Sequence, residues 1–289
     1  MTVTLAYILI ITAALLCSCQ FLAQRGYNKT EGRGVFTALV FSAVGSIISI
    51  VAALAIYGFE HTVAPGSVAL SLLSGINCVL ITLFSAKVFL VANMSVYSMF
   101  MMLGGMALPF VFGICIGEDF TWGKAACFVL IVIASLINTD LKSKSSRGAI
   151  KYYIGIFVCN GLSGVLAAAN QNLSEHSSGG TYMLLLNIWR LAICALAVII
   201  MVAKTKQKIF ASPKSAVVSS TLYGVLSALS SLFIFISLEA LDASVQYPMI
   251  TGGTMVFSVL ICFICREKVS LRDVIAVLVA TASSVVVIL

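Results

Sequence analysis

Charge is what this sequence has least of. Asp, Glu, Lys and Arg together make up 9% of its 289 residues, where a soluble domain carries about 25%. A water-exposed surface cannot be assembled from so little, so a sizeable soluble domain is excluded. Histidine is nearly absent as well: His61 and His176 are the only two, and both fall in short stretches between apolar runs. No His–carboxylate cluster suits a metal, no glycine-rich phosphate loop is present, and no Ser-His-Asp set is evident. The chain is therefore expected to be neither an enzyme nor a carrier of a metal or cofactor.

What is abundant is apolar sequence, 61% of the chain. A membrane span needs roughly 20 apolar residues, and ten such stretches can be placed, at 3–24, 34–57, 66–86, 93–116, 121–139, 152–172, 182–203, 216–238, 243–264 and 270–288. The first starts without a basic leader or a small-residue cleavage site, so it reads as a retained span rather than a signal peptide. The boundary between spans three and four is the faintest, because Lys87 is the only charge between Pro65 and Glu118. Nine cysteines lie in or beside apolar stretches. The spacings Cys17-x-Cys19 and Cys262-x-x-Cys265 lack a neighbouring His or carboxylate, and the residues read as small hydrophobes in a bundle.

The net charge of +7 would suggest nucleic acid as a partner in a soluble protein. Here its distribution points to topology. Odd-numbered loops hold 15 of the 17 Lys and Arg residues. Even-numbered loops hold Glu60, Glu118, Asp119, Glu175, Glu239 and Asp242, with Lys124 just inside span five. The positive-inside rule places the odd loops in the cytoplasm and both termini outside.

The second half of the chain also repeats the first. At an offset of 149 residues Ser95-Val96 falls on Ser244-Val245, Gly104 on Gly253, Met106 on Met255, Glu118 on Glu267, Thr121 on Ser270 and Ser135 on Ser284. Five spans per half is an odd number, so the second copy enters the membrane with opposite orientation. The expected fold is an all-α membrane bundle of ten transmembrane helices in two inverted five-helix repeats, residues 1–141 and 152–289, joined by the basic connector 142–151. Duplicated inverted units are the ground plan of carriers that open to alternate sides.

Polar residues within spans must be satisfied without water. The candidates for a substrate site are Gln20, Asn77, Tyr97, Asn160, Arg190, Gln246 and Tyr247. Thr82, the run Asn170-Gln171-Asn172, Asn187, Trp189 and the serines Ser227, Ser230 and Ser231 belong to the same polar set. Each could line a cavity or act as interhelical glue. Arg190 is either a bidentate anchor for a carboxylate or a structural Arg that snorkels outward to Glu175. Pro109 and Pro248, beside Gly104-Gly105 and Gly252-Gly253, are either hinges or close-packing points. Gly113-x-x-x-Gly117 reads as a packing pair, and Glu118 and Glu267 read as features of the starts of spans five and ten.

Taken together, the doubled pattern resembles the drug/metabolite transporter superfamily in its ten-span EamA-like branch. The first copy runs from Ser95-Val96 through Gly104 and Pro109 to Gly117-Glu118-Asp119-Phe120-Thr121. The second runs from Ser244-Val245 through Pro248 and Gly253 to Arg266-Glu267-Lys268-Val269-Ser270. The resemblance implies a secondary carrier of small organic molecules, often an exporter, in a bacterial cytoplasmic membrane. It implies a cavity lined largely by spans one, three, four, six, eight and nine. Arg190 resembles the Arg found early in the second helix of a family repeat, although span two has no counterpart. Span one carries no acid, so a cation–proton antiporter of the small multidrug resistance type does not fit. The partners implied are a small-molecule substrate, an amino acid, nucleoside or sugar-like compound, and the lipid bilayer, with no nucleic acid. The rival readings are a membrane-embedded lipid-modifying enzyme and a non-transporting assembly component. The first lacks a catalytic constellation and the second lacks a long partner-binding loop.

Overall fold

The computed structural model describes residues 2–32, 34–57, 62–91, 94–137, 150–205, 208–264 and 271–286. Among these there are ten α-helices and no strand: α1 (Val3–Glu31), α2 (Val35–Tyr57), α3 (Pro65–Val91), α4 (Met94–Cys115), α5 (Trp122–Ile137), α6 (Ile150–Gln171), α7 (Gly179–Thr205), α8 (Pro213–Ser237), α9 (Ala243–Ile264) and α10 (Leu271–Val286). Seven of them, α1, α2, α3, α6, α7, α8 and α9, are long and apolar enough to cross a membrane. The helices α5 and α10 have 16 residues each, about 24 Å at 1.5 Å per residue, against a hydrocarbon core of about 30 Å.

The outer surface is that of a protein solvated by lipid. Ile8, Ile11 and Leu15 on α1, Leu196 and Ile199 on α7 and Val218 on α8 all lie exposed. Contiguous exposed apolar surface of this extent is foreign to a water-soluble monomer, and the chain is a multi-pass membrane protein. At the even-loop end Trp122 is 85% exposed and meets Phe120 edge-on, ring centroids 6.0 Å apart, as aromatic residues do at a membrane–water interface.

Helix α1 outruns its apolar stretch by two turns. Nothing after Ala23 breaks a helix until Gly32, whose φ of 85° ends it in a conformation that only glycine adopts cheaply. Both internal prolines are accommodated without interruption: α4 runs through Pro109 and α9 through Pro248.

The packing of helices has a regular pattern. Helix α1 packs on α8 and α9, while α6 packs on α3 and α4. Helix α2 packs on α8, and α7 on α3. Three further pairs, α2 with α7, α4 with α9 and α5 with α10, join helices five apart in order.

The matched glycines explain two of these crossings. A Cβ on Gly104 would occupy the place of the Phe157 carbonyl of α6. One on Gly253 would stand 2.9 Å from Ala14 Cβ of α1. Gly161 completes the first crossing, its missing Cβ leaving room for the Gly104 carbonyl at 2.5 Å. Between Gly104-Gly105 and Gly252-Gly253, then, the feature that the structure displays is close helix approach.

A cavity walled by eight helices

A cavity of about 400 Å³ lies at the centre of the bundle, within the ~300–1,000 Å³ typical of small-molecule sites. At one end it reaches Asn28 and Gly34, beside the α1–α2 turn. At the other it stops at Ser74, Tyr182, Phe235 and Tyr247. Tyr182 is fully buried. Its hydroxyl lies 2.6 Å from Ser74 Oγ, and its ring meets Phe235 edge-on at 5.5 Å. Tyr247 donates to the Gly164 carbonyl at 3.2 Å. These contacts tie α3, α6, α7, α8 and α9 together across the floor.

Every helix except α5 and α10 contributes to the described lining. That is wider than the six spans expected, because α2 supplies Ala38, Phe41 and Ser42 and α7 supplies Tyr182, Met183, Leu186, Asn187 and Arg190. The physical reason is the α2–α7 contact, which makes this pair one wall of the cavity rather than an outer layer.

The residues expected at the site divide into two groups. Asn160, Arg190 and Tyr247 line the cavity. Gln20, Asn77 and Gln246 sit between helices instead. Gln20 Nε2 donates to Ser230 Oγ at 2.7 Å, joining α1 to α8. Asn77 Nδ2 donates to the Cys159 carbonyl at 2.7 Å and to Ser163 Oγ at 2.8 Å, joining α3 to α6. Gln246 Nε2 donates to the Ile234 carbonyl at 2.6 Å and Ser237 Oγ at 2.9 Å. Tyr97 belongs to α4, but its side chain lies outside the described residues. Asn160 does both tasks: it faces the cavity and its Nδ2 donates to the Met101 carbonyl of α4 at 2.6 Å.

Several lining residues were outside the expected set. Ser42 and Tyr223 carried no signal, since serines and tyrosines within apolar helices are commonplace. Tyr182 stood at the edge of an expected span, where interfacial tyrosines are usual. Asn187, Ser227 and Ser231 were legible as polar residues and do face the cavity.

Arg190 is the one charged residue in the described lining. It stands eleven residues into α7, about 16 Å along the helix axis. Its Nε donates to Ser42 Oγ at 2.8 Å, and Tyr223 of α8 shares the lining with it. Among the described residues no carboxylate forms an ion pair with it. Glu175 is exposed in the α6–α7 turn, and the snorkelling alternative is not the geometry seen.

The end of the molecule beyond the floor is held by two carboxylates. Glu118 accepts from the backbone amides of Ala243 at 2.8 Å and Ser244 at 3.0 Å, the first two residues of α9. It therefore caps α9 rather than α5, whose own cap is Thr121 Oγ1, accepting from Lys124 N at 3.2 Å. The glycines before it make this possible. Gly117 turns the chain at φ 97°, and a Cβ on Gly113 would occupy the place of the Glu118 carboxylate. Gly113 and Gly117 thus shape a turn and a cap instead of a helix–helix contact. Lys124 Nζ reaches Asp242 at 2.6 Å and the Asp119 carbonyl at 2.8 Å, so the lone cation of the even loops is neutralised there. At the opposite end of the bundle Glu31 accepts from Ala211 N at 2.6 Å and Ser212 N at 2.7 Å, just before α8.

No family model and no curated protein matches the sequence. Among solved structures the chain is similar to one described only as a crystal structure of a protein, with a TM-score of 0.75 and 17% identity over 98% of this chain and 98% of that one. At that identity the likeness concerns the fold alone.

Proposed function

We propose that this protein is a secondary transporter that moves a small organic metabolite across a membrane by alternating access, in the manner of the drug/metabolite transporters it resembles. The observation that carries this reading is the central cavity, walled by helices of both halves and stopped at one end. A carrier needs a site that communicates with one side at a time, and the floor of Ser74, Tyr182, Phe235 and Tyr247 supplies the closed side.

Ten spans in two inverted repeats make sense of the packing. Exchanging each helix with the one five places away turns the α1–α8 contact into α6–α3, α1–α9 into α6–α4 and α2–α8 into α7–α3, all of which occur. It also takes the Gly104 crossing to the Gly253 crossing. The polar ties follow suit. Asn77 links α3 to α6, and Gln20 links α1 to α8 through Ser230 and the Leu226 carbonyl. Residue 226 is the position 149 beyond 77. Pseudo-symmetry of this kind lets two halves exchange conformations and so open to opposite faces.

The positive-inside rule puts the α1–α2 and α7–α8 turns in the cytoplasm. On that topology the cavity reaches toward the cytoplasmic side, the Glu118 and Lys124–Asp242 contacts close the outer side, and both termini face out. The resemblance to drug/metabolite transporters makes the bilayer the cytoplasmic membrane of a bacterium and the direction export. The test is comparative metabolite profiling of cells with and without the gene, followed by flux of each altered compound in proteoliposomes. Saturable flux of at least one is expected; no saturable flux of any would overturn the reading.

A further inference from the structure

The cavity carries one more piece of chemistry, the uncompensated charge of Arg190. A guanidinium has five N–H donors in a planar fork. The Ser42 hydroxyl engages part of it. Nε is held on the Ser42 side, and the Nη pair is the edge that forks to a carboxylate. Burying a cation near the middle of a membrane is costly unless it is paired or solvated. Here the described lining offers hydroxyls, amides, sulfur and aromatic rings, with no Asp or Glu to pair with.

We propose that the cavity binds a small monocarboxylate with an aromatic or apolar body, its carboxylate held by Arg190 and its body between Phe21, Phe41 and Tyr247. This rests on the carrier reading only in naming the substrate class; the binding site stands on the geometry alone. Three observations select the ligand. One fixed positive charge balances one negative charge, so a phosphate dianion would bring a second charge with no described partner. The rings of Phe21, Phe41 and Tyr247 in the lining suit an apolar body. Ser42 is itself buried and orients the guanidinium from α2, so the anchor is fixed before ligand arrives.

The experiment uses the purified full chain in nanodiscs and measures affinity for matched pairs: phenylacetate against phenylacetamide and indole-3-acetate against indole-3-acetamide, with phenyl phosphate as the dianion. Each carboxylate is expected to bind at least about tenfold tighter than its amide, and phenyl phosphate more weakly than phenylacetate. Arg190→Gln should bring each pair to within about threefold. Arg190→Lys, which keeps the charge and loses the fork, should retain an intermediate preference. Carboxylate and amide binding equally, a preference that survives R190Q, tighter binding of the phosphate, or no carboxylate binding at all would each overturn the proposal. Should R190Q not fold, R190K and Ser42→Ala stand in for it, both expected to reduce the preference. Flux in proteoliposomes separates the two claims. Saturable flux of the amides without carboxylate preference leaves a carrier and overturns the anion site. Carboxylate binding without flux supports the site and overturns the carrier.

Discussion

On the carrier reading, removing the Glu118 carboxylate should open the end of the molecule that lies beyond the cavity floor. Glu118 makes two charge-assisted bonds to the first amides of α9, at 2.8 and 3.0 Å. It is half-buried, so water takes over part of what each bond supplies. A hydrogen bond to a charged group contributes about 1.5–3 kcal/mol and loss of a helix N-cap costs about 1 kcal/mol. For Glu118→Ala, which loses both bonds together, about 1.5–3 kcal/mol is a consistent estimate. If both bonds exist only in the closed arrangement, that energy goes entirely into the equilibrium between closed and open, a change of about 10- to 150-fold. Glu118→Gln keeps a neutral acceptor and should fall between. The assay is the distance distribution between spin labels at Asp119 and Glu239, both exposed and on opposite sides of this contact, in a background with the nine cysteines replaced. E118A should enlarge a longer-distance population, and Gly113→Ala should do the same, because its methyl would displace the carboxylate. Glu31→Ala, at the other end of the bundle, should leave this distance unchanged. An E118A distribution identical to that of the unaltered protein would refute the reasoning, since the bonds would then not hold the closed state.

Other consequences can be checked on the same preparations. Asp242→Ala should destabilise more than Lys124→Ala, as measured by melting in detergent, because Lys124 is 8% exposed and Asp242 is 49% exposed, and an orphaned buried charge costs more than an orphaned exposed one. Gly104→Ala should lower stability by about 1–3 kcal/mol through overpacking. Gly253→Ala should cost less, since it meets only a side-chain methyl. Asn77→Ala should destabilise by about 1–3 kcal/mol while leaving the carboxylate-over-amide preference of the cavity unaltered, because its bonds go to the Cys159 carbonyl and Ser163 and leave Arg190 untouched.

How much of this was legible depended on which property decided each feature. The helices follow from apolar run length, and the expected spans agree with them to within a few residues except where α1 continues past its span to Glu31 and α3 past its span to Val91. Gly104 and Gly253 were visible as a matched pair, and each marks a close approach of two helices. The site was only half visible. A buried Asn or Gln within a span looks the same whether it faces a cavity or a neighbouring helix. The difference lies in helix rotation, and the hydrophobic pattern fixes rotation weakly when lipid and core are both apolar. That is why Gln20, Asn77 and Gln246 were grouped with Asn160 and Tyr247, although only the latter two line the cavity. Glu118 was recognised as a helix-start residue; its true partner, α9, is 125 residues away and no local pattern could name it. The charge of Arg190 was unmistakable, but its orientation toward Ser42 and away from Glu175 depends on the α2–α7 contact.

The most direct test of the central claim is counterflow in proteoliposomes. Vesicles loaded with unlabelled phenylacetate and diluted into a trace of labelled phenylacetate would report exchange through one site facing alternate sides. The account predicts a transient accumulation of label above equilibrium, saturating with substrate and lost in R190Q. Uptake that rises linearly with concentration, never overshoots and is indifferent to Arg190 would contradict it.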